Sequence, residues 1–200
     1  MDHFIPYMPN NYEAEGQLFI NDEIINNYMS LIQTRSPDTV YTFNTFFYLT
    51  FSTQGYKRVD RWTKKIDIFA KKKLFIPIHI REDNHWVLVY VDFENKTINY
   101  YDSIGNSGYD FMKVIVSYLR LEGVHKKNMH FCFDKWRLRN VKDCPQQQNH
   151  WDCGVFLCAF AEHLSRNAPL NFSQDDMINI RRQILLDIKK KKLKKSMPKS

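Results

Sequence analysis

Residues 85–102 read HWVLVYVDFENKTINYYD, and this stretch decides how the chain folds. Two runs rich in β-branched and aromatic residues, 85–93 and 97–102, are joined by the polar connection FENK at 93–96. Such runs with so short a connection predict two antiparallel strands in a hairpin. The upstream segment KLFIPIHI, at 73–80, has the same character and predicts a third strand.

The hairpin register brings a histidine and an aspartate together. If Asp92 pairs with Thr97, Asp102 lies opposite Val87, which shares a strand face with His85 because side chains alternate. His85 and Asp102 are then one diagonal step apart at the open end of the hairpin. A carboxylate there fixes the tautomer of an imidazole and stabilises its protonated form. Taken alone, such a pair is more often an ordinary surface pair.

The flanking segments predict helices on either side of a small sheet. Apolar periodicity and N-cap signals indicate helices at 20–33, about 110–121, 153 to about 165 and 173 to about 189, with Ser173 and Asp176 as a capping box. Residues 40–52 fit a buried helix or a strand, 56–69 should begin as a helix, and two short strands are predicted near 129–141. Helices, a small mostly antiparallel sheet and further helices predict an α+β fold.

Length and composition predict one folded domain. The 200 residues are 44% apolar and 15% aromatic, which is enough for a sizeable core. We expect an irregular N-terminal segment at 1–18, a folded domain at 19–188 and a basic tail at 189–200. The tail holds seven lysines and no acid, so the rest of the chain has 22 basic and 22 acidic residues. Nucleic-acid binding is therefore disfavoured, except through the tail.

The sequence carries no signal for membrane insertion or secretion. No run approaches the roughly 18 apolar residues of a membrane span. The first ten residues, MDHFIPYMPN, lack the basic and apolar regions of a secretory signal. The four cysteines, at 132, 144, 153 and 158, have no disulfide-framework spacing, which favours a reducing compartment.

The segment WDCGVFLCAFAEHLSR, at 151–166, places Cys153 in the first turn of an apolar helix. Unpaired N–H groups and the helix dipole favour an anion at that position. Gly154 allows another backbone or a substrate to approach closely, whereas Cys158 falls among apolar residues and is assigned to the core. In isolation, a buried structural cysteine is the more ordinary explanation of Cys153.

The preceding loop, PQQQN at 145–149, supplies side-chain amides shortly before Cys153. An amide N–H near a thiolate can stabilise the oxyanion of a tetrahedral intermediate, worth about 10²–10³ in rate. Together with His85 and Asp102, the cysteine and glutamines describe a cysteine hydrolase. A zinc site is the rival interpretation of the same stretch. The candidate ligands Cys144, His150, Cys153 and Cys158 match no common structural zinc spacing, so no metal is predicted.

The combined motifs resemble the catalytic domain of the SUMO-specific cysteine proteases, the Ulp/SENP family. The residues that carry the resemblance are HWVLVYVDFENKTINYYDS and PQQQNHWDCGVFLC, with FINDEIINNYMSLI, YKRVDRWTKK and FIPIHI earlier in the chain. The similarity runs from about Phe19 to Ile188. It implies a papain-like cysteine protease fold of the Ulp/adenain type.

The resemblance also implies the catalytic roles. His85 corresponds to the general base, Asp102 to its orienting carboxylate, Cys153 to the nucleophile and Gln147 to the oxyanion donor. The implied reaction is cleavage after the C-terminal Gly-Gly of SUMO, both to mature precursors and to release SUMO from lysines. It needs no cofactor or metal, and the implied partners are SUMO and SUMO-conjugated proteins.

Five further positions match substrate-binding positions of the family. Trp86 and Phe19 correspond to aromatic walls of a narrow tunnel, Gln146 to a substrate-side position, and Asp22 and Arg61 to contacts with the modifier. Three departures are visible. Phe19 replaces the usual tryptophan, the connection from residue 79 to 85 is about two residues longer than usual, and the pair at 150–151 is bulkier.

Other functions are compatible with parts of this pattern. The alternatives are a protease for another ubiquitin-like modifier of the NEDD8 type, an acetyltransferase of the same fold, and a non-catalytic SUMO-binding module. We expect a monomer without membrane association. The lysine-rich tail fits a nuclear-import signal, a nucleic-acid-binding arm or a solvated helix end, and the family resemblance favours a nuclear location.

Overall fold

The computed structural model describes residues 13–14 and 17–193, with side chains from residue 19 onward. Seven strands are present among these residues: β1 Glu13–Ala14, β2 Gln17–Leu18, β3 Val40–Thr42, β4 Lys73–Ile80, β5 His85–Asp92, β6 Thr97–Tyr101 and β7 Arg137–Asn140. The helices are α1 Asp22–Arg35, α2 Phe47–Gln54, α3 Tyr109–Lys127, α4 Cys153–Ser165 and α5 Met177–Lys190. β1 and β2 form a short hairpin inside the segment expected to be irregular.

The central sheet has five strands in the order β3-β4-β5-β6-β7. The pairs β4–β5 and β5–β6 are antiparallel, but both edge pairs, β3–β4 and β6–β7, are parallel. The sheet is therefore mixed, with parallel pairing confined to its two edge strands. The physical reason is that α2 lies between β3 and β4 and α3 between β6 and β7 in the chain, and a helical crossover permits parallel pairing.

The predicted hairpin register is confirmed. Asp92 pairs with Thr97, and the ladder continues to Leu88 opposite Tyr101. Asp102 follows the last residue of β6, and His85 is the first residue of β5, so both stand at the same end of the sheet.

Helices cover both faces of the sheet. Along β5, Leu88 and Tyr90 pack in the core shared with α1, α4 and α5, whereas Val87, Val89 and Val91 pack in the core shared with α2 and α3. A strand buried on both faces reads as a nearly continuous apolar run. The apolar run therefore makes β5 recognisable in the sequence. With helices on both faces of the sheet, the domain has three layers.

Three segments differ from the sequence-based expectation. Residues 40–52 contain both candidates, since β3 is followed by α2. The segment 56–69 holds only single 3₁₀ turns at Tyr56–Arg58 and Ile68–Ala70. One strand, β7, forms near 129–141 instead of two. There, the rings of residues 131, 133 and 136 pack against one another, and this aromatic cluster replaces the first expected strand.

The last helix is preceded by the predicted capping box, in which Ser173 and Asp176 satisfy each other's backbone N–H groups. A 3₁₀ turn at Gln174–Asp176 leads into α5. α5 continues through Lys190, and Leu193, 9% exposed, packs against the core. The folded domain thus extends at least five residues into the predicted basic tail, and residues 194–200 of that tail lie outside the described residues.

Candidate active site

The nucleophile candidate lies at the helix start that the sequence predicts. Cys153 is the first residue of α4 and is 4% exposed. At Gly154, an added Cβ would lie 3.0 Å from the carbonyl oxygen of Ile20, so a side chain here would push the segment before α1 away by a few tenths of an ångström. The helix N-terminus places unpaired N–H groups and the positive end of the helix dipole beside the sulfur.

His85 joins the thiol to a carboxylate. Its Nε2 lies 2.6 Å from Oδ1 of Asp102, which leaves Nδ1 for the hydrogen bond with Cys153. Burial alone would lower the pKa of His85, but the hydrogen bonds and charges of Asp102 and Cys153 outweigh burial and raise it to about 9. His85 is therefore protonated at neutral pH, and its positive charge lies beside the sulfur of Cys153.

Asp102 is fixed by several donors. The backbone N–H groups of Ile104 and Asn106 donate to its two carboxylate oxygens at 2.9 and 3.1 Å, and the hydroxyl of Tyr100 lies 3.5 Å away. The carboxylate is 2% exposed. Because these bonds hold it rigidly, it orients the imidazole ring of His85 rather than sampling solvent.

The glutamine loop is anchored to the residue after Asp102. Ser103 Oγ donates to Gln147 Oε1 at 2.6 Å, and the backbone N–H of Gln147 donates to the Ser103 carbonyl oxygen at 2.7 Å. One amide N–H of Gln147 donates to the Asn149 carbonyl oxygen at 2.6 Å, and an amide carries a second N–H. The amide of Gln146 instead donates inward, to the carbonyl oxygens of Asp102 and Cys144.

A buried ion pair next to the nucleophile was not anticipated from the sequence. Asp152 is bonded to Arg181 of α5 and accepts hydrogen bonds of 2.7 Å from the side chains of Gln174 and Asn149. Both partners of the ion pair are buried. The only sequence feature that could have indicated this ion pair is the position of Asp152. A carboxylate beside so apolar a helix is expected to be buried, and a buried carboxylate requires a positively charged or hydrogen-bonding partner.

A cleft of about 450 Å³ opens beside the thiol. Cys153, Trp86, Phe19 and Asp22 all line it, so four of the predicted site residues are brought together. Arg61 is exposed in the segment between α2 and β4 and is not among the described residues that line the cleft. Trp151, one of the two bulky residues before Asp152, also forms part of the wall of this cleft.

The other cysteines are not arranged as metal ligands. All four cysteines are free, and burial raises the pKa of both Cys144 and Cys158. Within the described residues, no three His, Cys, Asp or Glu side chains are grouped so that they could hold a metal ion.

Among the described residues, none of the helices has the length and apolar character needed to cross a membrane.

The raised pKa of His85 predicts an alkaline limit to activity. Protonated His85 can give a proton to a leaving amine, so kcat/KM should decline as pH rises through about 9. The contacts of protonated His85 with Asp102 and Cys153 also contribute to the free energy of unfolding. This contribution is complete below pH 6.5, the ordinary pKa of histidine, and is lost as pH rises through about 9. An NMR titration of the ring should show this pKa, and a lower one in Cys153→Ala. A ring that titrates near 6.5 in the native chain would contradict the assignment.

A thiol at a helix N-terminus, an imidazole and an oriented carboxylate, on an α+β fold, define a papain-like cysteine hydrolase. Residues 18–195 match the model of the Ulp1 protease family, C-terminal catalytic domain, and the chain belongs to this family.

Known relatives agree with this assignment. The chain is 40% identical over 174 residues to sentrin-specific protease 5 of Homo sapiens, covering 87% of this chain and 23% of the relative. It is 38% identical over 183 residues to a sentrin-specific protease of Caenorhabditis elegans, covering 89% and 26%. The chain thus spans about a quarter of the length of these relatives.

The solved structures show the same fold. The C-terminal Ulp1 protease domain, solved in complex with SMT3, the yeast orthologue of SUMO, superimposes with a TM-score of 0.74 at 35% identity. The match covers 86% of this chain and 76% of that one.

Proposed function

We propose that the chain is a SUMO-specific thiol protease and isopeptidase, which cleaves after the C-terminal Gly-Gly of SUMO. The observation that carries this proposal is that Cys153, Trp86 and Phe19 line one cleft. Flat rings in the wall of a narrow cleft can admit glycine and exclude a branched residue by shape. The similarity to sentrin-specific proteases supports SUMO as the modifier.

The chemistry follows from protonated His85 and the sulfur of Cys153 beside it. The thiolate of Cys153 attacks the carbonyl carbon of the terminal glycine, and a Gln147 amide N–H stabilises the oxyanion that forms. His85 then donates its proton to the leaving lysine amine or peptide nitrogen, and the C–N bond breaks to leave a thioester. His85, now neutral, takes a proton from water, whose oxygen attacks the thioester carbon. The C–S bond then breaks, which releases the modifier with a free C-terminal carboxyl group and leaves the Cys153 thiolate beside protonated His85.

Charged side chains away from the thiol would select the modifier. Asp22 at the start of α1 and the exposed Arg61 are charged and accessible, which suits recognition of a folded partner surface. We assign Gln146 to the substrate side of the loop, where its amide donates to the carbonyl oxygens of Asp102 and Cys144. Precursors and lysine conjugates of SUMO are the proposed substrates, and the chain acts as a monomer.

The lysines after residue 188 support a proposed nuclear location. A cluster of seven lysines without acids is typical of an import signal, and nucleic-acid contact is confined to the same segment. Replacing the seven lysines of residues 189–200 by glutamine, which leaves the packed Leu193 in place, should shift a fluorescent fusion out of the nucleus. Unchanged localisation would contradict this role for the tail.

Electrophilic probes test the proposed function directly. SUMO, NEDD8 and ubiquitin, each with a C-terminal electrophile, are incubated with the chain, and adducts are mapped by mass spectrometry. We expect one SUMO adduct on Cys153. Faster labelling by NEDD8 would assign the alternative modifier, and SUMO binding without an adduct would indicate a binding module. Acetyl-CoA turnover in place of any adduct would indicate an acetyltransferase.

A further inference from the structure

The loop between β4 and β5 leads directly into the active site. Residues 81–84 connect the two strands, and Ile80 pairs with His85 while His79 pairs with Trp86. Asn84 has a left-handed backbone with φ of 46°, and its N–H lies 3.3 Å from the Arg81 carbonyl oxygen. This turn closes the hairpin immediately before the catalytic histidine.

Two contacts connect this turn to the cleft wall. The imidazole of His79 stacks on the indole of Trp86, with ring centroids 4.4 Å apart and an angle of 28° between the planes. Nε2 of His79 donates to Oδ1 of Asn84 at 3.0 Å. His79, Asn84 and Trp86 all line the cleft that contains Cys153.

The hydrogen bond supplies what stacking alone lacks. Offset stacking permits two rings to slide in their planes at little cost. A bond from the edge of His79 to Asn84 fixes the imidazole in its plane, and the imidazole in turn limits the tilt of the indole of Trp86. To exclude the methyl group that distinguishes alanine from glycine, the indole of Trp86 must keep its position to within a fraction of the width of that methyl group.

We infer that Asn84, acting through His79, is a positioning residue that holds Trp86 in place. It thereby sets the selectivity of the cleft for glycine over larger residues. The inference rests on the proposed function, because it assigns Trp86 to the wall of the substrate channel. The longer connection between residues 79 and 85 carries the hydrogen-bond acceptor that performs this role.

The backbone of Asn84 allows a clean set of variants. Glycine, asparagine and aspartate all tolerate a left-handed conformation. Asn84→Gly therefore keeps the turn but removes the acceptor, whereas Asn84→Asp keeps both. His79→Phe keeps the stacked ring and removes the donor. Lys96→Gly is the matched control, since Lys96 has a φ of 52° in the hairpin at the opposite end of β5.

The readout is the ratio of kcat/KM for SUMO ending in Gly-Gly to that for SUMO ending in Ala-Gly. Loss of one hydrogen bond should lower this ratio about three- to tenfold in Asn84→Gly. Asn84→Asp and Lys96→Gly should stay within about twofold of the native chain. Because His79 and Asn84 act in series, the double variant with His79→Phe should show no further loss. An unchanged ratio in Asn84→Gly, or additive losses in the double variant, would overturn the inference.

A second readout needs no substrate. The indole N–H signal of Trp86 in ¹H–¹⁵N NMR spectra should shift or broaden in Asn84→Gly and remain in place in Asn84→Asp. If the native chain leaves SUMO uncleaved, the proposed function fails, but the NMR comparison still decides whether Asn84 positions Trp86. An indole signal that is unchanged in Asn84→Gly refutes that positioning.

Discussion

Replacing Cys153 by serine should lower kcat/KM towards a SUMO substrate by about 10⁴-fold or more. The hydroxyl keeps the shape of the site, but at neutral pH it does not form the anion that His85 and the N-terminus of α4 stabilise. Hydrolysis of a fluorogenic SUMO conjugate measures the loss, and binding of intact SUMO should persist because the cleft walls are unchanged.

The matched control is another cysteine of this chain. Cys132 is exposed in the segment before β7, and Cys132→Ser should retain full activity. Were Cys153→Ser to retain a tenth of the native rate, or Cys132→Ser to lose activity instead, the nucleophile would be misassigned.

The second large effect concerns stability. Arg181→Met should reduce the free energy of unfolding by about 3–5 kcal/mol, because the carboxylate of Asp152 stays buried without its charged partner. A loss of this size is a large share of the stability of an ordinary domain. Urea unfolding, followed by far-UV circular dichroism, measures it.

The neighbouring residue provides the control. Arg182 is exposed, so Arg182→Met should change stability by about 0.5 kcal/mol or less. Adding Asp152→Asn to Arg181→Met should recover part of the loss, because it removes the buried charge that the single variant leaves uncompensated. A double variant less stable than Arg181→Met would contradict this account of the pair.

Much of the catalytic geometry could be predicted from one hairpin. The short connection at 93–96 predicts the pairing of Asp92 with Thr97, and that pairing determines that residues 85 and 102 meet. This worked because side chains alternate strictly along a strand and a short connection permits few registers. The start of α4 at Cys153 was equally local, since it follows from an apolar run after a polar loop.

Other elements depended on distant partners. Residues 56–69 form turns rather than a helix, with Tyr56 and Thr63 bonded to the buried Glu122 of α3. The parallel edge strand β7 is only four residues long, and its pairing with β6 follows from how α3 packs across the sheet. Local propensity carries little information about such contacts.

The sequence by itself determined the hairpin, its register and the helix that begins at the thiol, and hence that His85 and Asp102 meet and that Cys153 starts a helix. Only the tertiary structure decided the mixed sheet, the aromatic cleft, the partnership of Asp152 with Arg181 and the hydrogen bond from His79 to Asn84. The difference is physical. The spacing of apolar residues depends on the local conformation of each segment, so it can be interpreted from the sequence. The partner of a buried charge or a packed ring lies on another segment and is defined only when the segments pack together.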